Sequence, residues 1–123
     1  IEILDDSVGL SIEGFRRLGD VGVCVRRWIF SPKCLRIDDR VDGMRFAQLV
    51  RHLHVPHPVS REGDAVVISS ARQRYYVRCK GAAVRLSATK VWSAYGISNP
   101  GTRISFVTTA QLPWSGSLSI EVI

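Results

Sequence analysis

Several things are scarce in this 123-residue sequence. Its three cysteines, Cys24, Cys34 and Cys79, are an odd number without a Cys-x-x-Cys pair, which argues against a zinc ribbon and against a disulfide-stapled scaffold. Each lies in an alternating apolar run, so buried free thiols are expected. No apolar run approaches the roughly 20 residues that span a bilayer. No basic-then-apolar start with a cleavage site marks a secretion signal. Neither a Gly-x-Ser-x-Gly elbow nor a Gly-rich phosphate cradle is present. A starting Met is missing too: the chain opens Ile1-Glu2-Ile3-Leu4. That beginning is expected of a piece of a longer protein whose targeting signal lies outside it.

What is present is an ordinary globular balance, 46% apolar and 23% charged, which excludes a disordered tail or low-complexity segment. The length fits one domain, residues 1–123, able to bury roughly two-thirds of its unfolded surface without a metal or a disulfide. The net charge is +6, and only three of the 17 basic residues are lysines (Lys33, Lys80, Lys90). Arginine grips carboxylate, sulfate and phosphate through a planar two-pronged fork, whereas lysine is a solvated point charge. The bias therefore points to an anionic partner, nucleic acid or an acidic polysaccharide. The plainer alternative is that arginines simply cover solvated strand faces.

The pattern is β throughout. Alternating, β-branched or aromatic-rich runs recur at Val8–Leu18, Val21–Phe30, Cys34–Val41, Met44–Val55, Ala65–Ser70, Gln73–Cys79, Ala83–Ala88, Val91–Ile97, Thr102–Thr108 and Ser117–Ile123. Turn residues separate them at Gly19-Asp20, Ser31-Pro32, Asp42-Gly43, Arg61-Glu62-Gly63-Asp64, Asn99-Pro100-Gly101 and Pro113-Trp114-Ser115-Gly116. Asp42-Gly43 is the strongest local hairpin signal. Met44–Leu53 alone has apolar residues at helical spacing, and its neighbours favour a strand. About ten short strands at this spacing predict an all-β fold, an antiparallel two-layer sandwich.

Three groups of residues are candidates for chemistry. His52 and His54 would share one strand face about 7 Å apart, with His57 in the following Pro-His-Pro turn. A structural zinc needs four ligands, and no carboxylate or cysteine accompanies this cluster, so no metal is expected there. Asp38 and Asp39 face opposite sides of their strand and cannot act together on one substrate. Asp39 shares a face with Leu35 and Ile37, so if that face is buried an arginine or a turn amide must satisfy it. Finally, Arg72, Arg74, Tyr76 and Arg78 share one face of a strand, a three-arginine stripe beside one tyrosine that suits an anionic chain. A solvated outer strand would look the same. The glycine-flanked stacking aromatics of RNA-binding sheets are absent, which disfavours nucleic acid.

Read in order, several segments resemble one enzyme family. Gly14-Phe15-Arg16-Arg17-Leu18-Gly19, Val25-Arg26-Arg27-Trp28 and Leu35-Arg36-Ile37-Asp38-Asp39-Arg40-Val41-Asp42-Gly43 are similar to the Gly-Tyr-x-Arg, His-Arg-Arg and Val-x-Asp-x-Leu-x-Gly pattern of the heparinase II/III-like polysaccharide lyases. Arg51-His52-Leu53-His54-Val55-Pro56 resembles that family's Phe-His-Leu-His-Pro strand. Trp92-Ser93-Ala94-Tyr95-Gly96 and Leu112-Pro113 resemble its closing Ser-x-Tyr-Gly and Leu-Pro signature. The match runs from about Gly14 to the end. Val25 stands where the family has His, and Phe15 where it has Tyr. The family's His-x-His-x-Asp, Asp-Pro-Gly and His-Asn-Thr segments, which supply the active-site His and zinc ligands, do not occur here, nor does its helical toroid.

The resemblance therefore implies a non-catalytic C-terminal β-sandwich region. No catalytic residue, metal ligand or cofactor is carried over, and whether the parent protein is an active lyase stays open. The partners implied are an acidic polysaccharide and the N-terminal catalytic region of that parent, in a periplasmic or extracellular setting. Lyase chemistry there would remove the proton beside a uronate carboxylate and expel the 4-linked sugar, using a neutralising group and a base near neutrality. Arg51, Arg72, Arg74, Tyr76 and Arg78 are the expected glycan contacts. The alternative is a stand-alone module that binds carbohydrate or protein with no chemistry nearby.

Overall fold

The computed structural model describes residues 1–123, the side chain of Arg16 excepted. Its eleven strands are β1 (Glu2–Ile3), β2 (Ser7–Ile12), β3 (Val21–Ser31), β4 (Cys34–Gly43), β5 (Phe46–Val55), β6 (Val59–Glu62), β7 (Ala65–Ser69), β8 (Arg74–Arg78), β9 (Ala83–Ala94), β10 (Ile97–Gln111) and β11 (Trp114–Val122). All neighbouring strands are antiparallel. Eight form one sheet, in the order β1-β2-β3-β4-β11-β8-β7-β6, and three form the other, β5-β10-β9. The expected all-β, two-layer sandwich is what the chain adopts, although its strands include long ones. Among the described residues no helix is long and apolar enough to cross a membrane.

Period-two alternation explains why the two sheets close on each other. On β4, Leu35 and Ile37 face inward; on β11, Leu118 and Ile120; on β8, Tyr75 and Val77; on β7, Val66 and Ile68. Opposite them the small sheet contributes Leu53, Val55, Ile104, Phe106 and Val84. Ile104, Phe106 and Val77 lie at the centre, essentially without solvent contact. Burying a side chain such as Phe106 stabilises the fold by about 1.5–3 kcal/mol relative to leaving it exposed. The core thus sits under β4, β11, β8 and β7. The β1-β2-β3 arm of the large sheet extends past it.

Four local expectations are corrected by the structure. The run Val8–Leu18 is strand only as far as Ile12, and Gly14–Leu18 is a single 3₁₀ turn. Asp42-Gly43 makes no hairpin: β4 pairs with β3 and β11 while β5 pairs with β10, so the chain changes sheets there. Gly43 is required for a different reason. Its φ is +148°, and a Cβ would overlap the Asp20 carbonyl, to which Met44 N–H anchors the next residue. Asn99-Pro100-Gly101 is no turn but the early part of β10, and β9 runs unbroken over the two expected segments. The β9–β10 turn is instead at Tyr95-Gly96. Because β5 pairing ends at Thr102, Pro100 has only β9 alongside, the edge position in which a strand tolerates proline. Lastly, β6 was not among the expected strands; it forms a hairpin with β7 across Gly63 and Asp64.

Candidate functional site

The arginine stripe lies on the outer face of the large sheet. Tyr75 and Val77 of β8 point to the core, so Arg74, Tyr76 and Arg78 point out, as their parity requires. Arg72 is not on the strand. It sits in the preceding turn, where the Ser70 hydroxyl oxygen accepts the N–H groups of Arg72 and Gln73 at 3.4 and 3.0 Å. Both strand arginines already face carboxylates. Arg74 Nη2 is 3.6 Å from Glu62 Oε1, reached across β7. Arg78 Nη1 donates to Glu121 Oε2 of neighbouring β11 at 3.4 Å, and its guanidinium lies 4.8 Å from the centre of the Tyr76 ring. A sulfate or uronate approaching this stripe must compete with two resident carboxylates.

Arg51 is elsewhere. It is on the inner face of β5, only 9% exposed, and the structure does not bring it together with Arg72, Arg74, Tyr76 and Arg78. It is therefore not part of the outer stripe but lines the cleft between the sheets. Its Nη2 donates to Cys79 Sγ at 2.8 Å, its Nη1 is 3.8 Å from Asp39 Oδ2, and its guanidinium carbon lies 5.0 Å from the centre of the Trp114 ring. Gly116 leaves the room that Trp114 occupies: any side chain there would overlap the indole.

Asp39 is the hub of this arrangement. Its carboxylate accepts both prongs of Arg26, at 2.7 and 2.9 Å, so the ion-paired role expected of it is met. That hydrogen bond, chiefly, raises the pKa of Arg26 above its ordinary value. Asp38, on the other face, is exposed to Arg36 Nε at 3.0 Å and to the Ser117 hydroxyl at 2.7 Å. The signal for Arg51 was in the sequence: it shares parity with Leu49, Leu53 and Val55, an arginine in an apolar register. All three cysteines are free, Cys79 buried and Cys24 and Cys34 half-buried. Burial pushes the Cys79 thiol up, against the pull of Arg51, and Cys24 is raised as well, first by burial and then by Asp39.

Beside this triad an apolar cleft of about 760 Å³ opens where β5 meets the β2-β3-β4 arm. Leu10, Trp28, Leu49 and Trp114 are among its walls, and Arg26, Asp39 and Arg51 also line it. It offers apolar contact and an ion-paired wall, with no base poised over a carboxylate-binding group. A second hollow of about 560 Å³ collects Arg61, Arg78 and Lys80 beside Asp64. His52 and His54 project from the outer face of β5, ring centres 6.5 Å apart, with His52 Nδ1 2.9 Å from Ser105 Oγ. Among the described residues no three His, Cys, Asp or Glu side chains gather as metal ligands.

The sequence matches no family model and no curated protein. Solved structures do match. Two are of a heparinase III gene product, one with methylated lysines; each superposes on 95% of this chain with a TM-score of 0.74 at 12% identity. A heparan sulfate lyase, HepC from Pedobacter heparinus, superposes on 98% with a TM-score of 0.72 at 11% identity. The chain spans about a fifth of the length of each, 19%, 19% and 20%. At such low identity the likeness is one of fold: this β-sandwich is shared with part of heparinase III and heparan sulfate lyase structures.

Proposed function

We propose that residues 1–123 form a non-catalytic β-sandwich domain of a heparinase III-like polysaccharide lyase, supporting or binding an acidic polysaccharide beside a catalytic region supplied by the rest of the protein. The observation that carries this reading is the superposition of nearly the whole chain on a fifth of two lyases, one of them named for heparan sulfate. The residues fit a supporting role. The Asp39–Arg26–Arg51 set and its apolar surroundings link the two sheets, and the cleft beside it is walled chiefly by apolar side chains and this ion-paired group.

Arg72, Arg74, Tyr76 and Arg78 are the first glycan contacts to test in this reading. Because Arg74 and Arg78 each share their charge with a carboxylate, their contribution is that of exposed ion pairs, about 0.2–1 kcal/mol each. Binding through them is therefore weak and salt-sensitive. The experiment incubates the chain with heparan sulfate and follows the ultraviolet absorbance of an unsaturated uronate. No rise is expected. A rise that survives repurification and vanishes with one substitution would overturn the non-catalytic reading.

A further inference from the structure

All eleven acidic residues lie outside the small sheet. No Asp or Glu occurs in β5, β9 or β10, and none at all from Ala65 to Ile120. The outer face of this sheet nevertheless carries four basic or ionisable side chains, His52, His54, Arg85 and Arg103, every one exposed. The register sets them in two rows across the three strands. His54 lies opposite Arg103, which lies opposite Ser87; His52 lies opposite Ser105, which lies opposite Arg85. Neighbours across strands are about 5 Å apart and successive same-face residues about 7 Å apart.

The partners of these groups are hydroxyls, which orient without neutralising. Arg103 Nε donates to Ser87 Oγ at 3.3 Å, and His52 Nδ1 meets Ser105 Oγ. On the large sheet, by contrast, Arg26, Arg27, Arg36, Arg40, Arg74 and Arg78 each lie within 4.0 Å of a carboxylate. Among the described residues neither Arg85 nor Arg103 has such a partner. The next row of the same face is Val50 opposite Val107, apolar contact of the kind that suits the C–H side of a sugar ring.

We infer that the outer face of the small sheet, through Arg85, Arg103, His52 and His54, binds the sulfate and carboxylate groups of an acidic polysaccharide. This rests on the reading proposed above and relocates its binding surface from the β8 stripe. Fixed anions along a sugar chain match two rows of cations a few ångströms apart, each arginine offering a fork to one oxyanion. No Phe, Tyr or Trp stands among the two charged rows to stack a nucleic-acid base. Across the strands the charged groups nearest the two histidines are Arg103, opposite His54, and Arg85, opposite Ser105, both cations.

The test is a titration of the chain with heparan sulfate oligosaccharides at about 0.15 M salt, where exposed charges more than about 8 Å apart are screened. R85Q/R103Q is compared with R36Q/R40Q, which removes the same net charge from the large sheet. The first should weaken binding about three- to tenfold and the second less than about twofold. Equal weakening by both arginine pairs would reduce the site to net charge and overturn it. Binding lost only in R72Q/R74Q/R78Q would return the site to the stripe, leaving the polysaccharide reading intact. Equally tight binding of single-stranded DNA would overturn the sugar assignment. No binding by the unaltered chain would overturn site and polysaccharide reading together.

Discussion

The two sheets use arginine in opposite ways. On the eight-stranded sheet six of the seven strand arginines are met by a carboxylate, often on the same or an adjacent strand: Arg36 by Asp38, Arg40 by Asp42, Arg78 by Glu121; the seventh, Arg61, donates to the Val84 carbonyl instead. There the side chains form a self-satisfied surface, and their charge is largely spent before any ligand arrives. On the three-stranded sheet the outward arginines have only hydroxyls for company. Arginine content is the same kind of fact in both places, yet only the second leaves a field for an anion to feel. The lesson is that a basic composition is informative only once the acids have been located.

The contrast can be broken hardest at the one point where an arginine of the small sheet does meet an acid. Asp39→Ala strips Arg26 and the buried Arg51 of their common carboxylate. Removing one partner of a buried pair costs about 3–5 kcal/mol, so the urea midpoint should fall steeply. Arg51→Met should cost much less, because Asp39 keeps both hydrogen bonds from Arg26. Equal losses would show that Arg51, not Asp39, is the centre of the set.

A milder change sharpens the contrast by making the stripe resemble the other face. E62Q/E121Q frees Arg74 and Arg78, and titration with heparan sulfate should then show tighter binding by about two- to fivefold, with stability changed by less than about 1 kcal/mol per pair. Unchanged affinity would mean that resident carboxylates do not limit the stripe.

The smallest effect concerns pH. Cys79 and Cys24 hold their protons more tightly when folded, chiefly through burial. A thiol whose folded pKa is raised contributes stability that is fully present below the unfolded value, about 8.5, and is lost as pH rises through the folded one. The urea midpoint should therefore drop modestly above about pH 8.5, and less so in C24A. A midpoint that rises over this range would reverse the sign of the argument.

Much of this was legible in the sequence, and what was not has a common cause. Parity within a strand is local, so the opposite faces of Asp38 and Asp39 and the outward line of Arg74, Tyr76 and Arg78 followed directly from alternation. Sheet membership is not local. Asp42-Gly43 carries hairpin chemistry, but β5 finds its partner more than 40 residues later in β10, and that pairing overrides the turn. Pro100 reads as a breaker until β5 is known to stop short of it. The stripe looked uncompensated because Glu62 and Glu121 reach it from other strands, one of them more than 40 residues on. Equally, the acid-free stretch from Ala65 to Ile120 is plain in the sequence, while its conversion into one basic face needs the register of three strands.

The tie between Asp39 and Arg51 has a consequence for how such a domain can change over generations. Asp39 belongs to one sheet and Arg51 to the other, so Asp39 cannot be exchanged alone without stranding charge in the interior. A single substitution at Asp39 strands two arginines at once; a substitution at Arg51 strands none of the others, since Arg26 still holds the acid. An apolar replacement of this interior therefore has a preferred order. Arg51 goes first, then Arg26 and Asp39 together, and a lineage that starts from Asp39 meets its least stable intermediate at the first step.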